Sequence, residues 1–361
     1  MSIHPTIRLL SVIAAVLLCL AFAAPAQISA QQPYKVIDKW KIGGDGFWDY
    51  LTADPAAHRL YITRGTQLLA IDTATGKQVG AVTGLHGVHG VALDTAGKFG
   101  YISDGGANAV VVFDRTTLAT VATIPTGGQG PDAIVFEPAT QTVWAFEGRS
   151  KDAAVIAAAG NAGSPGDGSS SVGWKVVANI ALPGRPEAAA VDGKGLVFDN
   201  IEDKSEIVRL DAHSNTVTAT WPLTGCEGPS GLTMDADGSR LFAVCDKHMA
   251  VLDANTGKPL ATPAIGDGPD AAGWDAAHSL AFASCGEGVL SVVDASKSSY
   301  PTIETLPTQK GARTMAYDSA SDRVYLVTAE FGPRPEATPQ NPRPRPAIVP
   351  GSFTVIVVGR Q

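Results

Sequence analysis

The sequence predicts a seven-bladed, all-β propeller of four-stranded antiparallel blades, and three observations carry that prediction. An acid closing the first turn of a repeating unit recurs as Asp54, Asp94, Glu137, Asp192, Asp235, Asp275 and Asp318, at separations of 40, 43, 55, 43, 40 and 43 residues. A second turn acid follows as Asp72, Asp114, Asp211, Asp253 and Asp294, and is missing from the third and seventh units. The chain also ends one strand short of a seventh unit, while a spare strand stands before the first. A period of about 40–45 residues with four strands per period describes a propeller blade. Radial stacking then buries the faces that a single sheet would leave bare.

The unit is clearest over Asp49–Gly84. Leu51–Ala53 reads as an innermost strand turning at Asp54-Pro55, and Arg59–Thr63 alternates as a half-buried strand does. Gln67–Ile71 and Gln78–Val82 flank Asp72–Gly76, where a carboxylate able to hold backbone N–H groups precedes a glycine able to take positive φ. After Phe353–Val358, which matches a third strand, only Gly359, Arg360 and Gln361 remain. Tyr34–Ile42, YKVIDKWKI, has strand character and is expected to pair beside Phe353–Val358, closing the ring and removing an open edge.

Residues 1–26 read as a secretory signal: Arg8, the apolar run Leu9–Ala23, then Ala24-Pro25-Ala26 as a cleavage site. An uncleaved anchor is the alternative. Cys19 follows Leu17-Leu18 rather than the small residues of a lipoprotein signal. The mature chain, 27–361, is then one domain, periplasmic or secreted and monomeric, with no later stretch apolar enough to span a bilayer. The full sequence's 45% apolar content suits a large core, while its net charge of −8 argues against nucleic-acid binding, which needs clustered Lys and Arg.

Two insertions break the period. Residues 160–173, rich in Gly and Ser, are expected between the third and fourth strands of blade three as a flexible loop. Residues 333–350, PRPEATPQNPRPRPAIVP, follow the second strand of blade seven and are expected to be polyproline-like, either a lid or docking arm or a tolerated surface insertion. Cys226, Cys245 and Cys285 all map to the face on which 333–350 lies. Cys226–Cys245 is the preferred disulfide and Cys245–Cys285 the alternative; thiolate ligation of a metal together with His248 is a third reading.

Five residues before each first turn acid stand Asp49, His89, Asp132, Glu187, Ser230, Asp270 and Arg313, all polar, followed by small or apolar residues such as Gly90-Val91-Ala92. Small side chains let innermost strands crowd the axis, so these seven are expected to ring the channel mouth as ligand-binding candidates. Like charges crowded there raise one another's pKa, which a divalent metal held by Asp132, Asp270 and His89, the last helped by His86, would relieve. The alternative is a water-filled polar funnel whose acids bond backbone amides. Five of the tryptophans, Trp48, Trp144, Trp174, Trp221 and Trp274, fall at differing places in the repeat and read as packing between blades. No nucleophile elbow, H-E-x-x-H helix or Walker loop is present.

The repeats RLYITRGTQLLAIDTATGKQV and RLFAVCDKHMAVLDANTGKPL resemble the YVTN-repeat family of YncE-like secreted bacterial propellers, through L-Y-I-T, V-I-D-T-x-T-G-K and G-P-D-A elements. The resemblance covers the mature chain and implies a seven-bladed propeller outside the cytoplasm, but no shared activity. Ala70–Gly76 also matches half of a quinoprotein blade motif, with Gly80 where that motif has tryptophan, so no quinone cofactor is expected. The sequence thus points to a noncatalytic binding or scaffold protein taking a small ligand, metal ion or protein partner at the mouth. A metal-assisted, lactonase-like hydrolase or lyase is the alternative, with Asp49, Asp132, Glu187 and Asp270 as ligands or bases and His89 as acid/base.

Overall fold

The structure, a computed structural model, describes Met1 and residues 32–157, 173–338, 341–342 and 344–360. The expected signal segment and most of the 160–173 insertion lie outside these residues. Pro33–Gln361 forms one compact unit. Within it, seven four-stranded antiparallel sheets make a propeller, and the only helical turn among the described residues is the 3-10 turn Glu202–Lys204. No described helix is long and apolar enough to cross a membrane.

Blade one shows how sequence becomes sheet. Leu51–Asp54, Arg59–Arg64, Gln67–Asp72 and Gln78–Val82 pair in that order from axis to rim. The burial patterns follow: the second and third strands are buried on both faces because a neighbouring blade covers each, whereas the outermost strand is mostly wet. Seven hydrophobic clusters fill the seven gaps between blades. Leu60, Ile71, Tyr325 and Val355 meet between blades seven and one, for example, and Trp144, Val155, Val197 and Val208 between three and four.

Lys35–Lys41 pairs antiparallel with Thr354–Gly359, so the first of the described strands is the outermost strand of the last blade. It grips both interfaces of that blade: Ile37 and Trp40 pack on the cluster shared with blade one, Tyr34 and Val36 on the one shared with blade six. Trp40 also covers the blade-one hairpin so closely that a Cβ on Gly76, whose φ is +68°, would fall 2.4 Å from its ring. Glycine is required there by conformation and by space.

All seven first turn acids accept backbone N–H groups where the chain leaves the innermost strand, at the end away from the predicted mouth: Ala57 to Asp54 at 3.2 Å, Phe99 to Asp94 at 3.0 Å, Ala139 to Glu137 at 2.8 Å, Leu196 to Asp192 at 2.8 Å, Gly238 to Asp235 at 3.0 Å, Ala277 to Asp275 at 3.0 Å and Ala320 to Asp318 at 2.9 Å. On the mouth side Cys226 and Cys245 form a disulfide with Cα atoms 5.3 Å apart, which removes Cys245 as a thiolate partner for His248. Closing that 19-residue separation stabilises by about 3 kcal/mol. Cys285 stays a buried free thiol, pushed up to about 12 by burial.

The 333–350 segment departs from a plain polyproline path. Its C-terminal end pairs with the chain just before it: Gly332 N–H donates to Ala347 O and Val349 N–H to Glu330 O, both at 2.8 Å. The chain can do this because Gly332 and Val349 supply N–H groups that the surrounding prolines lack.

Candidate functional site at the channel mouth

Innermost strands meet closely enough that a Cβ on Gly231 would lie 2.7 Å from the Ala271 backbone. Together they enclose a narrow channel of about 170 Å³, lined by Tyr50, Val91, Ile134, Ala189, Leu232, Ala272 and neighbouring residues. The predicted polar residues stand where these strands begin. His89 Nδ1 lies 2.7 Å from Asp49 Oδ2 and 3.6 Å from Asp132 Oδ1, so blades one, two and three meet on one imidazole. Arg313 Nε lies 3.1 Å from Asp270 Oδ2 and joins blades six and seven. Glu187, from blade four, is reached by its neighbours through charge. Ser230 is turned away, its Oγ donating to the Pro269 carbonyl at 2.9 Å. His86 lies toward Asp104, with Nδ1 3.4 Å from that carboxylate.

Second-strand side chains fix these mouth residues by holding their carbonyls across the blade interface. Thr63 Oγ1 donates to His89 O at 2.9 Å, Ser103 Oγ to Asp132 O at 2.5 Å, Asn200 Nδ2 to Ser230 O at 3.3 Å, and Ser284 Oγ to Arg313 O. The four occupy one position of the repeat. Sequence reasoning missed them, although a hydroxyl or amide recurring in an otherwise apolar strand was the available signal.

It also missed Tyr50. At its position the other blades carry Gly90, Ala133, Ala188, Gly231, Ala271 and Thr314, so a single large side chain stands among small ones. Burial first, then the charges of Glu187, Asp132, Asp270 and Asp49, hold its phenol well above the usual range, leaving a neutral O–H beside the acids. Asp199 was missed as well. Fully buried between blades three and four, with neither carboxylate oxygen bonded among the described residues, it stands where the other blades have Ile62, Ile102, Ala145, Ala243, Ala283 and Leu326. Burial and the nearby charges of Glu187 and Asp132 push it well above the carboxylate range, so it is held protonated.

The mouth acids are strained electrostatically. Burial raises Asp132 to about 6 against the pull of His89, and raises Asp270 to about 6 against Arg313. Burial and then Asp132 and Asp270 lift Glu187 to about 8. Burial opposes charge on His89, but its bond to Asp49 and the fields of Asp132, Asp49 and Glu187 outweigh that and raise it to about 9. Near neutrality the ring therefore holds a proton on Glu187 and another on His89.

Donor atoms of Asp49, His89 and Asp132 lie within 4.8 Å of one another. Asp49 thus stands where the sequence pointed to Asp270, which is engaged by Arg313. This set fits a divalent ion once the imidazole gives up its proton, since a metal ligand must be neutral there. A second such group, Asp275, His278 and Asp322, is spanned by Arg360, 3.4 Å from Asp275 and 3.6 Å from Asp322.

No protein-family model matches the chain, and no curated protein matches it. Among solved structures, Kuenenia stuttgartiensis hydrazine synthase superposes with a TM-score of 0.66 over 77% of this chain and 91% of the matched one, at 14% identity. At that identity the likeness is one of fold.

Proposed function

We propose that the chain is a noncatalytic binding protein of the YVTN-repeat, YncE-like type, exported and monomeric, that takes a small cation or divalent metal ion at its channel mouth. The observation that supports this reading is the convergence of Asp49, Asp132, Glu187 and Asp270 on one narrow opening, where His89 and Arg313 pair with them and Arg185 and Arg345 offset them more weakly. A bound cation relieves carboxylate repulsion in a site that burial has partly stripped of water. Carboxylate oxygens favour hard ions, and the imidazole widens the choice to zinc or manganese.

Calorimetric titration of the full chain, purified without chelators, with calcium, manganese and zinc chlorides tests the reading. One site per chain is expected for at least one ion, weakened roughly tenfold or more by Asp132→Asn. Silence with all three ions, or equal binding by the variant, overturns it.

A further inference from the structure

Beside the acid ring, on the side of blades six, seven and one, lies a second concavity of opposite character. It has a volume of about 480 Å³ and sits under the legs of the proline-rich arm. Its charged lining is cationic: Lys310, Arg313, Arg334 and Arg345. Arg313 is paired with Asp270, but among the described residues Lys310, Arg334 and Arg345 make no ion pair. Four cations around one cavity repel each other, with Asp270 pairing Arg313 and lying in the field of Arg345, and in a chain of net charge −8 this is a local reversal of sign.

The walls are aromatic. Phe47 and Trp48 come from the entrance to blade one and Phe331 and Ile348 from the arm, and Phe47 is 65% and Phe331 37% exposed. Trp48 bridges Phe331 and Phe353, with ring centroids 6.2 and 5.1 Å away. On Phe353 lies the Arg64 guanidinium, 3.8 Å from the ring centroid. Arg64 is 3% exposed and, among the described residues, bonds only the Asp45 carbonyl and leaves Nε and Nη1 without partners. A further positive charge is thus buried behind the aromatic wall.

We infer that this cavity is a binding site for a small aromatic carboxylate, its ring against Phe47, Trp48 and Phe331 and its carboxylate on Arg334, Arg345 and Lys310. Guanidinium forks pair with a planar carboxylate through two parallel hydrogen bonds, and the aromatic walls suit a flat ring carried on it. The volume falls within the range of pockets that hold small organic ligands, and exposed aromatic surface beside converging polar groups is the usual lining of such pockets. The site adjoins the acid ring through Arg313 and takes the opposite charge.

The test is calorimetric titration of the full chain with 1-naphthoate, with 1-naphthylmethylamine, which keeps the ring and reverses the charge, and with acetate, which keeps the charge and lacks the ring. Naphthoate is expected to bind at one site, roughly tenfold or more tighter than either comparator. Arg334→Gln with Arg345→Gln is expected to weaken it by a similar factor while leaving the melting temperature unchanged, since both side chains are exposed. Equal binding of amine and carboxylate, no naphthoate heat at millimolar concentration, or full affinity in the double variant overturns the inference. Titrating the same preparations with metal chlorides keeps a failure here distinct from a failure at the acid ring.

Discussion

Four of the seven innermost strands, those of blades one, three, four and six, carry an acid near both ends, and the two ends surround it differently. At the turn end the chain reverses at once, so the next few backbone N–H groups point back at the carboxylate. The hairpin acids farther out enjoy the same supply: Asp72 accepts from Thr75 N and Oγ1, both at 2.7 Å, and those bonds hold it below the usual range, as Thr117 does for Asp114. At the mouth end the entering chain arrives from a neighbouring blade and offers no such donors. Asp132, Glu187 and Asp270 face one another instead, and all three are raised. Burial lifts Glu137 at the turn end as well, but there backbone N–H groups partly offset it, as none does for the three mouth acids.

The largest test of that contrast lies at the turn end. Arg115 of blade two is 8% exposed and crosses to Asp54 of blade one, 2% exposed, with Nε 3.1 Å from Oδ2, while its Nη1 donates to Asp94 O at 3.0 Å. Arg115→Ala strands a buried carboxylate with one backbone bond. The expected loss is about 3–5 kcal/mol, or roughly 10 °C in Tm. A loss below about 1 kcal/mol in thermal unfolding at neutral pH would show that these acids tolerate isolation as the mouth acids do.

A smaller effect of opposite sign is expected at the mouth. Glu187 is raised from its unfolded value to about 8, so its proton is bound more tightly in the folded chain. The stabilisation is complete below the unfolded value and is lost as pH rises through about 8. Glu187→Gln keeps this one position neutral at every pH. Its Tm should match the parent near pH 4 and exceed it at pH 9 by roughly 3–6 °C, about 1–2 kcal/mol after discounting for solvent screening. Parallel curves for the two proteins from pH 5 to 9 would mean that Glu187 is freely solvated.

What the sequence could disclose follows the same division. The ring of mouth positions was legible because a fixed strand length ties each to its turn acid five residues on. Pairing around the ring was not: Asp270 and Arg313 are 43 residues apart, and which acid His89 prefers depends on how the blades are rotated against each other. Ser230 looked like a ligand group, yet a short hydroxyl beside Gly231 reaches the Pro269 carbonyl first. The closing strand was legible because the last unit lacked a partner. The pairing of the arm was not, since it hangs on individual N–H groups at Gly332 and Val349 amid prolines.

The smallest expected effect sharpens the comparison from the exposed side. Asp72→Ala removes two hydrogen bonds from a wet hairpin, where water replaces much of what is lost, so the cost at neutral pH should be only roughly 2 °C in Tm. Its pH dependence carries more information. Because the folded chain holds Asp72 below its unfolded value, the contribution is present above about pH 4 and fades as the carboxylate is protonated on acidification. The variant and its parent should therefore converge in Tm toward about pH 2–3, whereas Glu187→Gln and its parent diverge toward alkaline pH. Two acids of one repeat architecture would then titrate against stability in opposite directions, as they must if backbone donors govern one and crowded carboxylates the other.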